Sequence, residues 1–445
     1  MRGYTKRMRR HGGLRGKHST ENLLVRLIGL PDRLIDYWSG KADGWRSSKQ
    51  MAKQADPLLI PGEELRALRQ AVKKQELASC ICHLPASELS ARDAELVERI
   101  REETAKANRN NVTRAKAYWN IYHRRPELHW AFLAHMVTRN SGWNMTDLKG
   151  EWFSRLLSDD EAHHLFLFLE RANALIFHDA FPQLRLYESS LERGRSCFHL
   201  LPAFGVSAFM RPVWEQFWRS RNPALLTVGL IINEQHYIDK KVARNKTFQH
   251  TVFDTPFFRA QSLLQLNTVL FPYQDAEIGA GKAAGLPPDA NRLAGIVLEN
   301  FTDLEERIEF GKTLYAILFG VPEVRNGAIR FAGSTAHTGS RADYWPHLFS
   351  KTMHDPPDGP YSGKLDGCRL LPGQQPVYSP VLAHAWSDHA MEPPEADDWF
   401  CDSDALRYFE TPVLPASFEL TNEFGFALQK IELAVLAKEK LLAKT

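Results

Sequence analysis

The run from Asn110 to Trp152, NNVTRAKAYWNIYHRRPELHWAFLAHMVTRNSGWNMTDLKGEW, constrains this chain more than any other stretch. It carries four of the eleven Trp, interleaved with His, Arg and Asn, and it is too apolar to lie on a surface. A helix that buries Arg and His must supply them with partners, because an unpaired buried charge costs several kcal/mol. The stretch therefore predicts a polar network inside a helical core.

Helical periodicity dominates the remainder, and period-2 patterning is almost absent, so an all-α fold is expected. Helices are expected over 61–77, 87–108, 113–123 (capped by Thr113) and 126–139, the last opened by Pro126 and stopped at Ser141-Gly142. Thr146 can cap a further helix to 157. Ser158-Asp159-Asp160-Glu161 is a capping box opening a helix to 181. Further helices are expected over 183–192, 206–218, 223–246 and 256–270. After the Gly-rich loop GAGKAAG at 279–285 come one around 291–299, a second capping box at Thr302–Glu305 leading to 319, and a last helix over 422–442. Residues 321–400 hold ten of the 25 Pro, which forbids long helices. Trp345, Phe349, Tyr361, Trp386 and Trp399 recur there, so this is an ordered, irregular Pro/Gly-rich segment packed on the large multi-helix body. The expected division is a basic disordered tail (1–18), a helical body (19–319), the irregular segment (320–400) and a C-terminal segment ending in a helix (401–445), with 19–445 as one folded unit.

Composition excludes several classes. Apolar content of 44% and charged content of 24% suit a soluble globular protein, and the five scattered Cys, read as free thiols, point to a reducing cytoplasm. No uninterrupted apolar run reaches the length of a membrane span, and no apolar region follows the basic N-terminus to make a secretory signal. The five Cys form no disulfide framework, and the clip Cys80-x-Cys82-His83 lacks a second pair of metal ligands. The first 18 residues carry seven Lys or Arg and no acid, followed by an apolar stretch over 21–38 broken by Pro31. A basic tail before an amphipathic stretch is the pattern of a weak anchor on anionic membrane, here residues 1–38. The alternative is a solvated tail and a first helix packed on the core.

Four polar clusters are candidate sites. His135 and Arg139 stand at i and i+4 with Asn140 beside them, and Asn144 and Asp147 are natural partners. His163 and Glu170 share a helix face at i and i+7, next to a stripe of His164, Arg171 and His178. Glu161-x-x-His164 has the spacing of a di-iron carboxylate site but no second copy, and the cap explains Asp159-Asp160 without Mg²⁺. Asn233 and His236 begin an abrupt polar half of the helix expected from 223. His337, Ser340, Arg341, Asp343 and Tyr344 lie on a Gly-Ser-Arg turn whose N–H groups and guanidinium suit a phosphate or carboxylate. No Walker A loop, G-x-S-x-G, H-E-x-x-H or dinucleotide fingerprint occurs, and no nucleic-acid motif. The residues thus name no cofactor, metal or oligomeric state. They point to an enzyme or small-molecule binder with a buried His/Arg/Asn/Glu pocket holding an anionic group. His135, Arg139, Asn140, His163 and Glu170 are its catalytic candidates; Asn233, His236 and the turn residues are its ligand-binding candidates. The alternative is a membrane-peripheral or protein-interaction scaffold using the basic tail and first helix.

The segments AYWNIYHRRPELHWAFLAHMVTRNSGWNMTDLKG, LERANALIFHDAFPQLRLYESS, LTVGLIINEQHYIDKKV, LEERIEFGKTLYAILF and HTGSRADYWPHLF resemble the YppC-like family of Bacillus-type bacteria, a domain of unknown function. The resemblance spans about 111–400. It implies a single unit across the helical body and irregular segment, in a Gram-positive, soluble, intracellular setting. It implies no activity, cofactor or catalytic residue.

Overall fold

The structure, a computed structural model, describes residues 30–78, 89–255, 258, 267–274, 286–287, 290–354, 359, 361–392, 394–395 and 397–442. The basic tail, Cys80, Cys82, His83, the loop at 279–285 and most of the helix expected over 256–270 lie outside these residues.

The fold is all-α. Its helices are α1 (Leu30–Ala52), α2 (Gly62–Ala78), α3 (Ala91–Ala107), α4 (Asn111–Arg124), α5 (His129–Asp147), α6 (Asp159–Arg193), α7 (Met210–Ser220), α8 (Pro223–Ile238), α9 (Leu304–Gly320), α10 (Pro322–Ser334) and α11 (Thr421–Leu442). Helix α5 sits at the centre, against α4, α6, α8 and α9. Its Trp130, Phe132, Met136 and Trp143 are fully buried, which is why its polar edge is buried too. Helix α8 is apolar all round from Leu225 to Ile232 and runs through the same core.

Several elements differ from the sequence reading, each for a physical reason. Helix α4 is capped by Asn110, with Thr113 as the reciprocal partner in a capping box. Helix α5 begins at His129 rather than Pro126 and passes through Ser141-Gly142 to Asp147. Only a single turn, Phe153–Leu156, follows it. Helix α6 has the expected Ser158/Glu161 capping box but runs unbroken through Pro182 to a left-handed Gly194. Burial of Phe177, Phe181, Leu184 and Leu186 outweighs the hydrogen bond that proline removes. Helix α8 stops at Ile238 and widens into a π-turn, Asp239–Ala243. Helix α9 is capped by Asp303, which accepts from the Glu306 N–H, instead of by Thr302.

Two stretches expected to be helical form an antiparallel pair, β1 (Thr268–Tyr273) and β2 (Arg292–Val297). Gly295 permits their close approach, since a Cβ there would fall 1.9 Å from the Val269 carbonyl oxygen. The 320–400 segment holds a helix that proline density argued against. In α10 the proline is the first residue, where a missing N–H costs nothing. The rest is irregular as expected: a two-residue parallel bridge (Phe349–Ser350 with Val377–Tyr378), a small hairpin (Leu365–Asp366 with Arg369–Leu370) and one helical turn, Leu382–Ala385. Trp345 and Tyr361 anchor it by burial, and the Trp386 indole N–H donates to the Met145 carbonyl at 2.8 Å. Among the described residues no helix is long and apolar enough to cross a membrane.

Candidate functional site

The first and fourth clusters meet where α5 packs on the loop after α10. His135 donates Nδ1–H to the Ala115 carbonyl at 2.7 Å, so its Nε2, which has no protein partner, carries the lone pair in the neutral ring. Arg139 is 1% exposed. It donates from Nη1 to the Thr335 carbonyl at 3.0 Å and lies 4.4 Å over the Phe331 ring, while its Nε and Nη2 have no protein partner. His337 presses against α5 at Gly142. Its Nε2 is 2.8 Å from Asn111 Oδ1, and the Asn111 amide is fixed by donating to the Thr138 carbonyl at 2.8 Å. His337 therefore donates Nε2–H, and its Nδ1 faces Asp343 at 3.7 Å without a hydrogen bond. Asp343 is already satisfied: it accepts from the Thr338 N–H at 2.8 Å and hydroxyl at 2.7 Å and pairs with Lys351 at 2.9 Å.

The charge balance of this centre follows from those contacts. Burial disfavours the Asp343 charge, but His337, Lys351 and Thr338, in that order, outweigh it and hold Asp343 down to about 2. Arg139 has no carboxylate within ion-pair distance among the described residues, and burial pushes it down to about 10. Burial pushes His337 down to about 4 and His135 well below its ordinary value, with the Arg139 charge adding to both. A buried positive charge thus stands beside two neutral imidazoles.

Asn140, on the same edge, does something else. Its amide donates to the Thr268 carbonyl at 3.2 Å and its Oδ1 accepts from the Leu270 N–H at 3.0 Å, so the side chain continues the β1 ladder.

Arg341 is committed to the protein. Nε donates to Asp147 at 2.6 Å, Nη1 to the Tyr344 hydroxyl at 2.5 Å and Nη2 to Asn144 at 3.1 Å. Burial disfavours its charge, but Asp147 and Tyr344 outweigh that and raise its pKa. Ser340 caps the turn by accepting from the Ala342 N–H and donates to the Ser379 carbonyl at 2.6 Å. The adjoining cavity, lined by Asn144, Asp147 and Arg341, measures about 20 Å³, room for a single water.

The second cluster separates. His163 is exposed and lies near Trp386, whereas Glu170 is buried and pairs with Arg114 at 2.5 Å. The third joins a carboxyl-rich centre between α6 and α8. Asn233 donates to Asp179 at 2.6 Å and accepts from the Trp399 indole at 3.0 Å, and His236 stacks on Trp399 at 4.2 Å. Glu234 accepts from the Trp130 indole at 3.2 Å. Burial pushes Asp179 up to about 7 and Glu234 up to about 8, and with Arg114 they surround the buried Tyr118 hydroxyl electrostatically. Perturbed carboxyls of this kind concentrate at functional sites. Among the described residues no group of His, Cys, Asp or Glu has the geometry to hold a metal ion.

Sequence reasoning missed Asn111, Arg114, Gly142 and Asp179. Gly142 carried a signal that was read as a helix stop. It marks a close crossing, where a Cβ would fall 2.4 Å from Asn111 Oδ1 and 2.7 Å from His337 Nε2.

The family described as protein of unknown function (DUF2515) matches residues 106–423, and the chain belongs to it. Over 351 residues it is 35% identical to the uncharacterized protein YppC of Bacillus subtilis, covering 78% of this chain and 97% of that protein. No solved structure matches. The matched region contains both polar centres.

Proposed function

We propose that this DUF2515 protein binds a small oxyanion, or the oxyanion end of a small molecule, together with one proton at the Arg139/His135/His337 centre. The observation that carries the reading is Arg139: buried, without a carboxylate partner, and with two guanidinium nitrogens unpartnered in the protein. An anion would neutralise that charge where water only solvates it. The tautomers define the rest of the chemistry. Neutral His135 and His337 each present a lone pair, so a bound anion requires either a protic ligand such as bicarbonate or hydrogen phosphate, or uptake of a proton by a ring. A ring protonated against a bound anion is also a general acid, so the arrangement serves an enzyme as well as a binder.

Diffraction from crystals grown in formate or bromide, with thermal denaturation in the same salts between about pH 5 and 8, tests this. The expected result is an anion against Arg139, stabilisation that strengthens as pH falls, and loss of that response in Arg139→Gln. Ordered water alone at the centre, with no anion-specific stabilisation, overturns it.

A second reading is favoured by α1. Trp38 is 64% exposed and Trp45 46%, seven residues apart on one stripe. Lys41 lies 6.0 Å from the Trp38 ring and Lys49 lies 5.0 Å from the Trp45 ring. Exposed indoles flanked by lysine, following a basic tail, suit peripheral contact with anionic lipid. Sedimentation with phosphatidylserine vesicles is expected to pull down the protein at low salt, less at high salt and less for Trp38→Ala/Trp45→Ala. Equal sedimentation of the variant removes this reading.

A further inference from the structure

A broad cleft belongs to neither polar centre. It lies between α3, the α6 stretch around His178 and Pro182, and the extended segment 388–391. Its volume of about 840 Å³ falls within the range of small-molecule sites. Arg101, Lys106, Arg109, His178 and His389 bring nitrogen to its lining, against one carboxylate, Asp388. Pro182, Phe204 and Met391 supply apolar wall.

These nitrogens are not equivalent. Arg109 is paired with Asp388 at 2.9 Å, and Arg101 donates across the cleft to the Ala203 carbonyl at 2.8 Å. Both hold the walls together. Lys106 makes no ion pair among the described residues, and His178 Nδ1 is buried without a protein partner. Lys106 is therefore free for a ligand, and His178 is a half-buried, neutral part of the wall. The floor is Asn108, which donates to the Ala174 carbonyl at 3.0 Å and accepts from Arg114 at 3.2 Å. The outer wall has no regular structure and is held by side chains alone: Asn110 donates to Asp388 at 2.7 Å, and Arg171 donates to the Glu392 carbonyl at 2.5 Å. A cleft of this size with free cationic nitrogen near its rim and apolar wall inside fits a ligand of matching polarity.

We infer that this cleft is a second binding site, for an amphiphilic anion: an apolar or aromatic body carrying one phosphate or carboxylate. The anionic group meets Lys106, and the body lies against Pro182, Phe204 and Met391.

Titration calorimetry of the full chain with phenyl phosphate, octanoate and inorganic phosphate tests this. Phenyl phosphate and octanoate distinguish the two head groups, and inorganic phosphate lacks the body. Saturable binding is expected for at least one amphiphile, with inorganic phosphate at least about tenfold weaker. Lys106→Glu and Ala105→Trp, both at exposed positions, are expected to weaken binding at least about tenfold and leave the melting temperature unchanged. Arg139→Gln is expected to leave it intact. Absence of binding by both amphiphiles at millimolar concentration, or binding indifferent to both cleft variants, overturns the inference. Loss in Arg139→Gln with retention in the cleft variants also overturns it, and assigns the ligand to the buried centre.

Discussion

Replacing Arg341 by Lys separates two roles for the turn that joins α10 to the irregular segment. The guanidinium makes three side-chain hydrogen bonds from three nitrogens, to Asp147, Tyr344 and Asn144, and lies 5.2 Å over the Phe424 ring. An ammonium keeps the charge but not the planar fork, so it retains one of these bonds in good geometry. The two lost bonds, at about 1.5 kcal/mol each for a charged donor, give a destabilisation of about 3 kcal/mol. The assay is chemical denaturation followed by tryptophan fluorescence, for which Trp143, 4.6 Å from the Tyr344 ring, is a local reporter. Binding of phosphorylated and carboxylated metabolites is measured beside it. Expected is a large stability loss with binding unchanged wherever the wild type binds. A loss below about 0.5 kcal/mol, or ligand binding that disappears while stability holds, would refute the structural role and return Arg341 to the ligand.

Other perturbations probe the buried centres. Gly142→Ala drives a methyl into Asn111 and His337 and is expected to cost about 1–3 kcal/mol in denaturant titration, partly recovered by adding Asn111→Ala; a neutral effect contradicts the close crossing. Glu170→Gln leaves the Arg114 charge buried without its partner and is expected to cost about 3–5 kcal/mol, most of it recovered in Arg114→Met/Glu170→Leu. Failure of that pair to recover would place the cost elsewhere. Stability should peak near pH 6.5. Burial holds His129 at about 3, His236 and His337 at about 4, and His135 well below its ordinary value, so as pH falls below about 6.5 the unfolded chain binds protons that the fold refuses. Each of these histidines then subtracts about 1.4 kcal/mol per pH unit. Asp179 and Glu234, raised to about 7 and 8, act oppositely: the fold keeps protons that the unfolded chain releases above about pH 4, and this contribution is lost as pH rises to 8. His178 is lowered in the same sense as the four histidines, and Asp147, Glu419 and Glu423 are raised less than Asp179 and Glu234. The histidines therefore outweigh the carboxyls just below pH 6.5, and no histidine opposes the carboxyls above it; a denaturation midpoint flat from about pH 5 to 8 contradicts these burials.

What was legible in the sequence was direction around each helix; what was not was position along it and the identity of the far partner. The apolar faces of α5 fixed that its polar edge would be buried. Asp147 and Asn144, expected as partners of the His135/Arg139 edge, are instead taken by Arg341 from across the fold. His163 and Glu170 do share a face, but seven residues separate them by about 10 Å along the axis, and His163 is exposed near the start of α6, whereas Glu170 is buried. Proline was read as a breaker wherever it was frequent, yet Pro322 opens α10 and Pro182 sits inside α6, because position within the helix decides its effect.

Asn140 shows why local reading stops where it does. Its place on the polar edge of α5 was legible, but its role depends on residues 268–270, whose local pattern suggested helix and which form a strand edge instead. An amide side chain offers one donor and one acceptor in the geometry of a peptide group, so it can extend a strand as readily as it binds a ligand. Arg139, one residue earlier, finds no such complement. The α5 edge therefore divides into residues whose hydrogen-bonding capacity the fold consumes, Asn140 and through Arg341 also Asn144 and Asp147, and residues whose capacity it leaves over, His135 and Arg139. The proposed site rests on the second group because a buried polar atom that the fold leaves over is matched by water or by a ligand.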